Sequence, residues 1–151
     1  MRGYISRIWK GATTIGEMFI AIILIIAILI CPEAFKSIKV TKQELADDYD
    51  VTKKTLQKWV KNFTSINYEY YLKKRKLNLL EYWDIKDELG DMDDYPTMTK
   101  KDILGKCETY YHTVRDNIKL NIEKLGFSCE AYKNTDLFPP RIAQKIVVML
   151  G

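Results

Sequence analysis

Lys53, Lys54, Gln57, Lys58 and Lys61 are the residues whose types and spacing could do chemistry. On a helix, residues three and four apart are neighbours, so these five share one side. Leu56, Trp59 and Val60 recur at the same spacing on the other side. The chemistry such a face supports is non-covalent and directed at a polyanion. Lysine ammoniums neutralise phosphates, a glutamine carboxamide pairs with adenine through two hydrogen bonds, and the first residues of a groove-bound helix reach base edges. Thr52, which caps this helix, belongs to the same candidate DNA-binding set.

The usual catalytic constellations are missing from the sequence. The three cysteines, Cys31, Cys107 and Cys129, are odd in number and form no CxxC pair. That excludes a disulfide framework and a cysteine zinc site. His112 is the single histidine, too few for a common metal triad. There is no phosphate-binding GxxxxGKS/T, no GxGxxG, no GxSxG and no HExxH. Carboxylate pairs are the one catalytic arrangement left open. The expectation is a binding protein rather than an enzyme, with no cofactor and no metal.

Positioning these residues requires a helical hairpin. Thr41 is a good N-cap and Glu44 follows three residues later, which makes TKQE a capping box. A first helix is expected from Lys42 to about Asp48, with Leu45 and Tyr49 on its inner face and Ala46 where a second helix approaches closely. The turn is Tyr49-Asp50-Val51. One residue there must take a left-handed backbone, usually glycine, and aspartate is among the tolerated substitutes.

The stretch ELADDYDVTKKTLQKW resembles the ELAxxxGVSxxTLxxW pattern of small helix-turn-helix DNA-binding proteins. These are the excisionase-like and MerR-like kind common in phages and mobile elements. The resemblance covers about twenty residues, with Asp50 in place of the usual Gly and Thr52 in place of the usual Ser. It implies that the Lys53–Lys61 helix reads double-stranded DNA. In that family a further helix packs back after the motif, often announced by an aromatic and a proline. Leu137-Phe138-Pro139-Pro140 followed by RIAQKIVVMLG looks like this element.

A second copy of the hairpin lies 58 residues on. Thr41 falls over Thr99, Lys42 over Lys100, Glu44 over Asp102, Leu45 over Ile103, Leu56 over Val114 and Val60 over Ile118. The tails correspond as well: Ile85 to Gly90 and Ile146 to Gly151 each read as a closing helix with a Gly C-cap. Leu104 replaces Ala46, and Glu108-Thr109 replaces Asp50-Val51. The exposed face of this copy would offer Tyr110, Tyr111, His112, Arg115 and Lys119. It is less basic than the first. It either reads a second DNA site or serves as a dimerisation surface, so a homodimer counts among the expected partners.

Residues 1–10 carry Arg2, Arg7 and Lys10, and a hydrophobic block follows. Met18 to Cys31 is fourteen uninterrupted apolar residues; back to Gly11 the block is 21 residues with one charge, Glu17. A spanning helix needs ~20 mostly apolar residues, and Pro32 stops it where it would leave the bilayer. A single transmembrane anchor over residues 11–31 is the leading expectation. A cleaved signal peptide lacks the small-residue cleavage site, and a buried or oligomerising helix is the third reading. Flanking charges nearly tie under the positive-inside rule. Only the DNA reading puts the C-terminal part in the cytoplasm.

The whole chain has 151 residues, 47% hydrophobic, and a net charge of +4. That is too mildly basic to flag a nucleic-acid binder on charge alone. Charge is clustered instead: KKRK at Lys73–Lys76 is the densest positive run, and EYWDIKDELGDMDD at Glu81–Asp94 the densest acidic one. Tyr68, Tyr70, Tyr71, Tyr82 and Trp83 are expected in the core, and residues 128–136 as loop or wing. The expected architecture is all-α. Residues 1–32 form the flank and membrane helix, 33–90 the first helix-turn-helix unit, 91–97 an acidic linker and 98–151 a second, degenerate unit. The expected function is a membrane-anchored DNA-binding regulator or accessory factor. The rival is a non-enzymatic protein-interaction or structural protein at the membrane.

Overall fold

The computed structural model describes residues 37–150, together with Phe19, Ile22, Ile23, Ile25 and Ile26. The hydrophobic block of residues 11–31 otherwise lies outside the described residues, as do residues 1–10 and 32–36. Among the described residues, no helix is long and apolar enough to cross a membrane.

Helices under about twelve residues are marginal alone in water. Those of the described residues bury one face, and several are also held by a side-chain cap at the start. The first series runs β1 (Lys39–Thr41), α1 (Lys42–Asp47), α2 (Lys53–Phe63), α3 (Tyr68–Lys73), β2 (Lys76–Asn78) and α4 (Leu79–Leu89). Thr41 accepts from the Glu44 backbone N–H at 3.1 Å, and the Glu44 carboxylate accepts from the Thr41 N–H at 2.6 Å. This capping box starts α1, which buries Leu45 and Ala46. Asp50 then takes the left-handed conformation, φ 51°, and Val51 N–H closes the turn on the Ala46 carbonyl at 3.0 Å. Thr52 caps α2 by accepting from Thr55 N–H at 3.2 Å, and α2 buries Leu56, Trp59, Val60 and Phe63. Asn67 caps α3, and Asn78 with Glu81 forms a second capping box at α4. Strand β2 pairs antiparallel with β1, Val40 opposite Leu77.

The second series repeats this order with one short helix added, α7: β3 (Met98–Thr99), α5 (Lys100–Lys106), α6 (Tyr111–Leu120), α7 (Ile122–Leu125), α8 (Cys129–Lys133), β4 (Leu137–Phe138) and α9 (Pro140–Leu150). Thr99 and Asp102 form the capping box of α5. Glu108, 58 residues after Asp50, has φ 47°, and Thr109 N–H reaches the Leu104 carbonyl at 3.1 Å. Strand β4 pairs antiparallel with β3, Met98 opposite Phe138. Pro140 opens α9, where a missing N–H costs nothing. Gly126 ends α7 in the left-handed conformation.

The helical expectation holds in its coarse form: the described residues are mainly helical, and two short ribbons are added to the expected helices. Strands of two or three residues are too short to show an alternating pattern in sequence. The loop expected over residues 128–136 is corrected: Ser128 accepts from Ala131 N–H at 3.1 Å and starts α8.

The two series share one hydrophobic core. Trp59 of α2 donates its indole N–H to the Leu137 carbonyl of β4 at 2.6 Å. Phe63 stacks edge-on against Phe127 at 5.4 Å and lies 6.1 Å from Phe138. At the far end, Arg141 donates to the Asp87 carbonyl at 2.5 Å. Gly90 packs so close to Arg141 that an added Cβ would lie 2.7 Å from its backbone nitrogen.

Candidate nucleic-acid interface

Helix α2 is fixed from behind on two sides. Leu56 and Trp59 are fully buried, and Trp59 also meets Tyr49 edge-on at 5.6 Å. Tyr49 in turn donates its hydroxyl to the Gly90 carbonyl at 2.7 Å. With one face held this way, the rotation of the helix is set, and the side facing solvent is determined by residue spacing.

On that side Lys53, Lys54, Lys58 and Lys61 are exposed and Gln57 is half-buried. Among the described residues, Lys53, Lys54 and Lys58 make no ion pair, and Lys61 sits 5.8 Å from the Tyr68 ring. The structure thus brings together on one exposed face the five side chains that spacing put there. At ~1.5 Å rise per residue the eleven-residue helix is ~16 Å long, enough to lie in a major groove. Thr52 is exposed, but its hydroxyl already serves the cap and lies 3.0 Å from the Thr55 hydroxyl.

The N-terminal end of α2 has mixed charge. Gln43, Asp47, Asp50, Thr52, Lys53 and Lys54 line a shallow open depression at the turn. Asp47 accepts from the Gln43 amide at 2.5 Å. Asp48 is engaged by the Tyr82 hydroxyl, with Lys86 at 3.6 Å. Asp47 and Asp50 therefore stand beside the lysines and weaken the local positive field.

The second face differs from its expected form. Tyr110 is 82% exposed and His112 is exposed. Tyr111, expected in the exposed set, is instead half-buried: its ring stacks on Tyr132 at 5.8 Å, because α8 brings that tyrosine under the start of α6. Arg115 is tied to its neighbour Asp116 at 3.1 Å, and Lys119 to the same carboxylate at 3.4 Å. The two cations are thus partly spent within the helix, and they hold the Asp116 carboxyl below the usual range, the Arg115 hydrogen bond being the larger cause.

The KKRK run divides. Lys74 bridges to Glu81 and lies 4.3 Å from the Tyr70 ring. Lys73, Arg75 and Lys76 stay exposed, Lys76 opposite Thr41 in the ribbon. Among the aromatics expected in the core, Tyr71 is buried but Tyr70 is half exposed.

Sequence reasoning missed a repeated latch. Lys42 donates to the Tyr71 carbonyl at 2.5 Å and lies 4.2 Å over the Tyr71 ring. Lys100 donates to the Lys133 carbonyl at 2.8 Å and lies 5.5 Å over Tyr132. Burial holds the Lys42 ammonium below its ordinary pKa. Both tyrosine hydroxyls are buried without a hydrogen-bond partner among the described residues. Burial pushes each up to about 12, with Tyr68 adding to Tyr71, and Tyr111 and Cys129 to Tyr132. The signal was present as a lysine directly after each capping threonine, but its partner lies some thirty residues away.

No family model matches the chain, and no curated protein or solved structure matches it either. Among the described residues, no group of three or more His, Cys, Asp or Glu side chains is placed to hold a metal ion.

Proposed function

We propose that this chain is a non-enzymatic, membrane-anchored DNA-binding protein, acting as a small regulator or accessory factor. Lys53, Lys54, Lys58 and Lys61 hold phosphates, and Gln57 with the start of α2 reads base edges in the major groove. Residues 11–31 anchor the chain in the cytoplasmic membrane, with the helical units in the cytoplasm. The observation that carries the reading is the solvent-facing side of α2: five groups suited to a polyanion, on a helix whose opposite side is buried and whose turn is closed. Exposed Tyr110 and His112 extend the surface a second site would use.

A protein-interaction role is the second reading. It is favoured by Asp47 and Asp50 at the very end of α2 that would approach the bases.

The test is binding of the full chain, in nonionic detergent, to duplex DNA across a salt series. Four lysine–phosphate contacts give a slope of log K against log salt of about −3.6. Lys53→Glu with Lys58→Glu should abolish binding at moderate salt and flatten the slope by about 2. Absence of DNA binding at low salt overturns the proposal and leaves the protein-partner reading.

A further inference from the structure

The basic run at the end of α3 is the cluster that the DNA reading leaves unused. Lys74 is taken up by Glu81, whereas Lys73, Arg75 and Lys76 are exposed and make no ion pair among the described residues. The carboxylates around them are largely engaged. Glu44 accepts from the Thr41 N–H at 2.6 Å, and Glu81 accepts from the Asn78 N–H at 3.0 Å as well as from Lys74. Glu69, one turn before Lys73 on α3, offsets one charge at most. In the ribbon Leu77 is buried, so its neighbour Lys76 faces outward.

Apolar side chains are exposed on the same elements. Leu72, beside Lys73, is 40% exposed, and Ile38, just before β1, is 49% exposed. Their backbone is fixed. Lys42 donates to the Tyr71 carbonyl at 2.5 Å and lies 3.4 Å from the Leu72 carbonyl, which holds the end of α3 against the start of α1. The Ile38 carbonyl accepts from the Leu79 N–H at 3.1 Å. A DNA groove offers aliphatic side chains little beyond thymine methyls. A bilayer surface takes both kinds of group, cations at the headgroups and apolar side chains just beneath them.

Position in the chain selects the same surface. Residues 32–38 separate Cys31, the end of the apolar block, from β1. That length of chain spans at most ~25 Å, and β1 is half of the ribbon that carries Lys76. An anionic leaflet attracts cations within a Debye length of ~8–10 Å, so the ribbon is held within reach of the headgroups.

We propose that the β1–β2 ribbon and the end of α3 dock on the anionic lipids of the membrane that holds residues 11–31. Lys73, Arg75 and Lys76 meet the headgroups, and Leu72 and Ile38 enter the interface beneath them. The docking rests on the anchor of the proposed function, and it fixes how the folded part faces the bilayer.

The experiment uses the full chain, reconstituted in vesicles of phosphatidylcholine with phosphatidylserine and in vesicles of phosphatidylcholine alone. Leu72→p-benzoylphenylalanine is the photo-crosslinking probe, and the same probe at exposed Leu120 in the second unit is the control. Irradiation should join the Leu72 probe to lipid in the phosphatidylserine vesicles and leave the Leu120 probe unjoined. The lipid product should fall about tenfold or more without phosphatidylserine, and equally in the combined Lys73→Glu, Arg75→Glu and Lys76→Glu chain. Lys73→Arg with Lys76→Arg should keep it, since the charge is kept. Carbonate washing of the same vesicles reads the anchor separately. A chain that resists washing while its Leu72 probe gives no lipid product leaves the anchor standing and overturns the docking. A chain released by washing overturns the anchor and the docking with it. Equal yield with and without phosphatidylserine, equal labelling from Leu120, or capture of added duplex DNA in place of lipid also overturns the proposal.

Discussion

Asp50 and Glu108 hold the same backbone conformation at equivalent turns, so they form an internal control for strain. Their φ values of 51° and 47° lie in the left-handed region, which costs an ordinary L-residue ~1–2 kcal/mol. Aspartate escapes much of this because its short side chain bonds locally; glutamate, one methylene longer, does not. Glycine would remove the strain, while the greater freedom of an unfolded glycine costs ~0.5–1 kcal/mol. Neither turn depends on the side chain for closure, because the bonds from Val51 N–H to Ala46 and from Thr109 N–H to Leu104 are backbone to backbone. Glu108→Gly should therefore stabilise the fold by about 0.5–1 kcal/mol and Asp50→Gly by no more than about 0.3 kcal/mol. Urea unfolding of the full chain in detergent, followed by tryptophan fluorescence, reads both. If Glu108→Gly destabilises, or the two substitutions act equally, the strain assignment fails. Asp50→Gly also removes a negative charge beside Lys53 and Lys54, so on the DNA reading it should tighten binding, whereas Glu108→Gly should leave α2 binding unchanged.

Trp59→Phe keeps an aromatic ring against Tyr49 but strips the Leu137 carbonyl of its donor at 2.6 Å; a cost of about 2–3 kcal/mol is expected in a denaturant melt, and a loss below about 0.5 kcal/mol would refute the inter-unit hydrogen bond. Gly90→Ala forces a Cβ to within 2.7 Å of the Arg141 nitrogen at φ +89°; thermal unfolding should register a loss of roughly 2–4 kcal/mol, and a neutral result would show that the α4–α9 approach is looser than described. Tyr71 and Tyr132 are favoured as neutral hydroxyls in the fold, with pKa values raised from 10 to about 12. Stability is thus full below pH ~10 and declines as pH rises toward ~12, because the unfolded chain ionises first, by up to about 2.7 kcal/mol per tyrosine. Chemical melts at pH ~9 and ~11 should show the decline, and it should shrink in Tyr71→Phe.

What could be read from the sequence was local. Thr41, Glu44, Thr52, Thr99 and Asp102 carry their meaning within four residues, and their caps form as the spacing requires. The same is true of the α2 faces, since a 3.6-residue period alone separates Trp59 from Lys58. What could not be read depends on distant partners. Tyr111 turns inward because Tyr132 arrives from α8. The ribbons need Thr41 to meet Lys76. The shared core needs Phe63 to reach Phe127. No spacing rule within one element encodes these meetings. The acidic segment before Met98 suggests a boundary, yet the packing across it involves Trp59, Gly90 and Arg141, whose partners no local pattern names.

Because Trp59 and Phe63 are bound by neighbours on both sides, α2 divides its positions into two kinds with respect to change. Its buried residues answer to two hydrophobic environments at once, so a substitution there must satisfy both. Lys53, Lys54, Gln57, Lys58 and Lys61 answer to neither. Selection can rewrite those five letters and give the helix a new preference while the scaffold stays as it is, which makes α2 a fixed mount for an exchangeable surface.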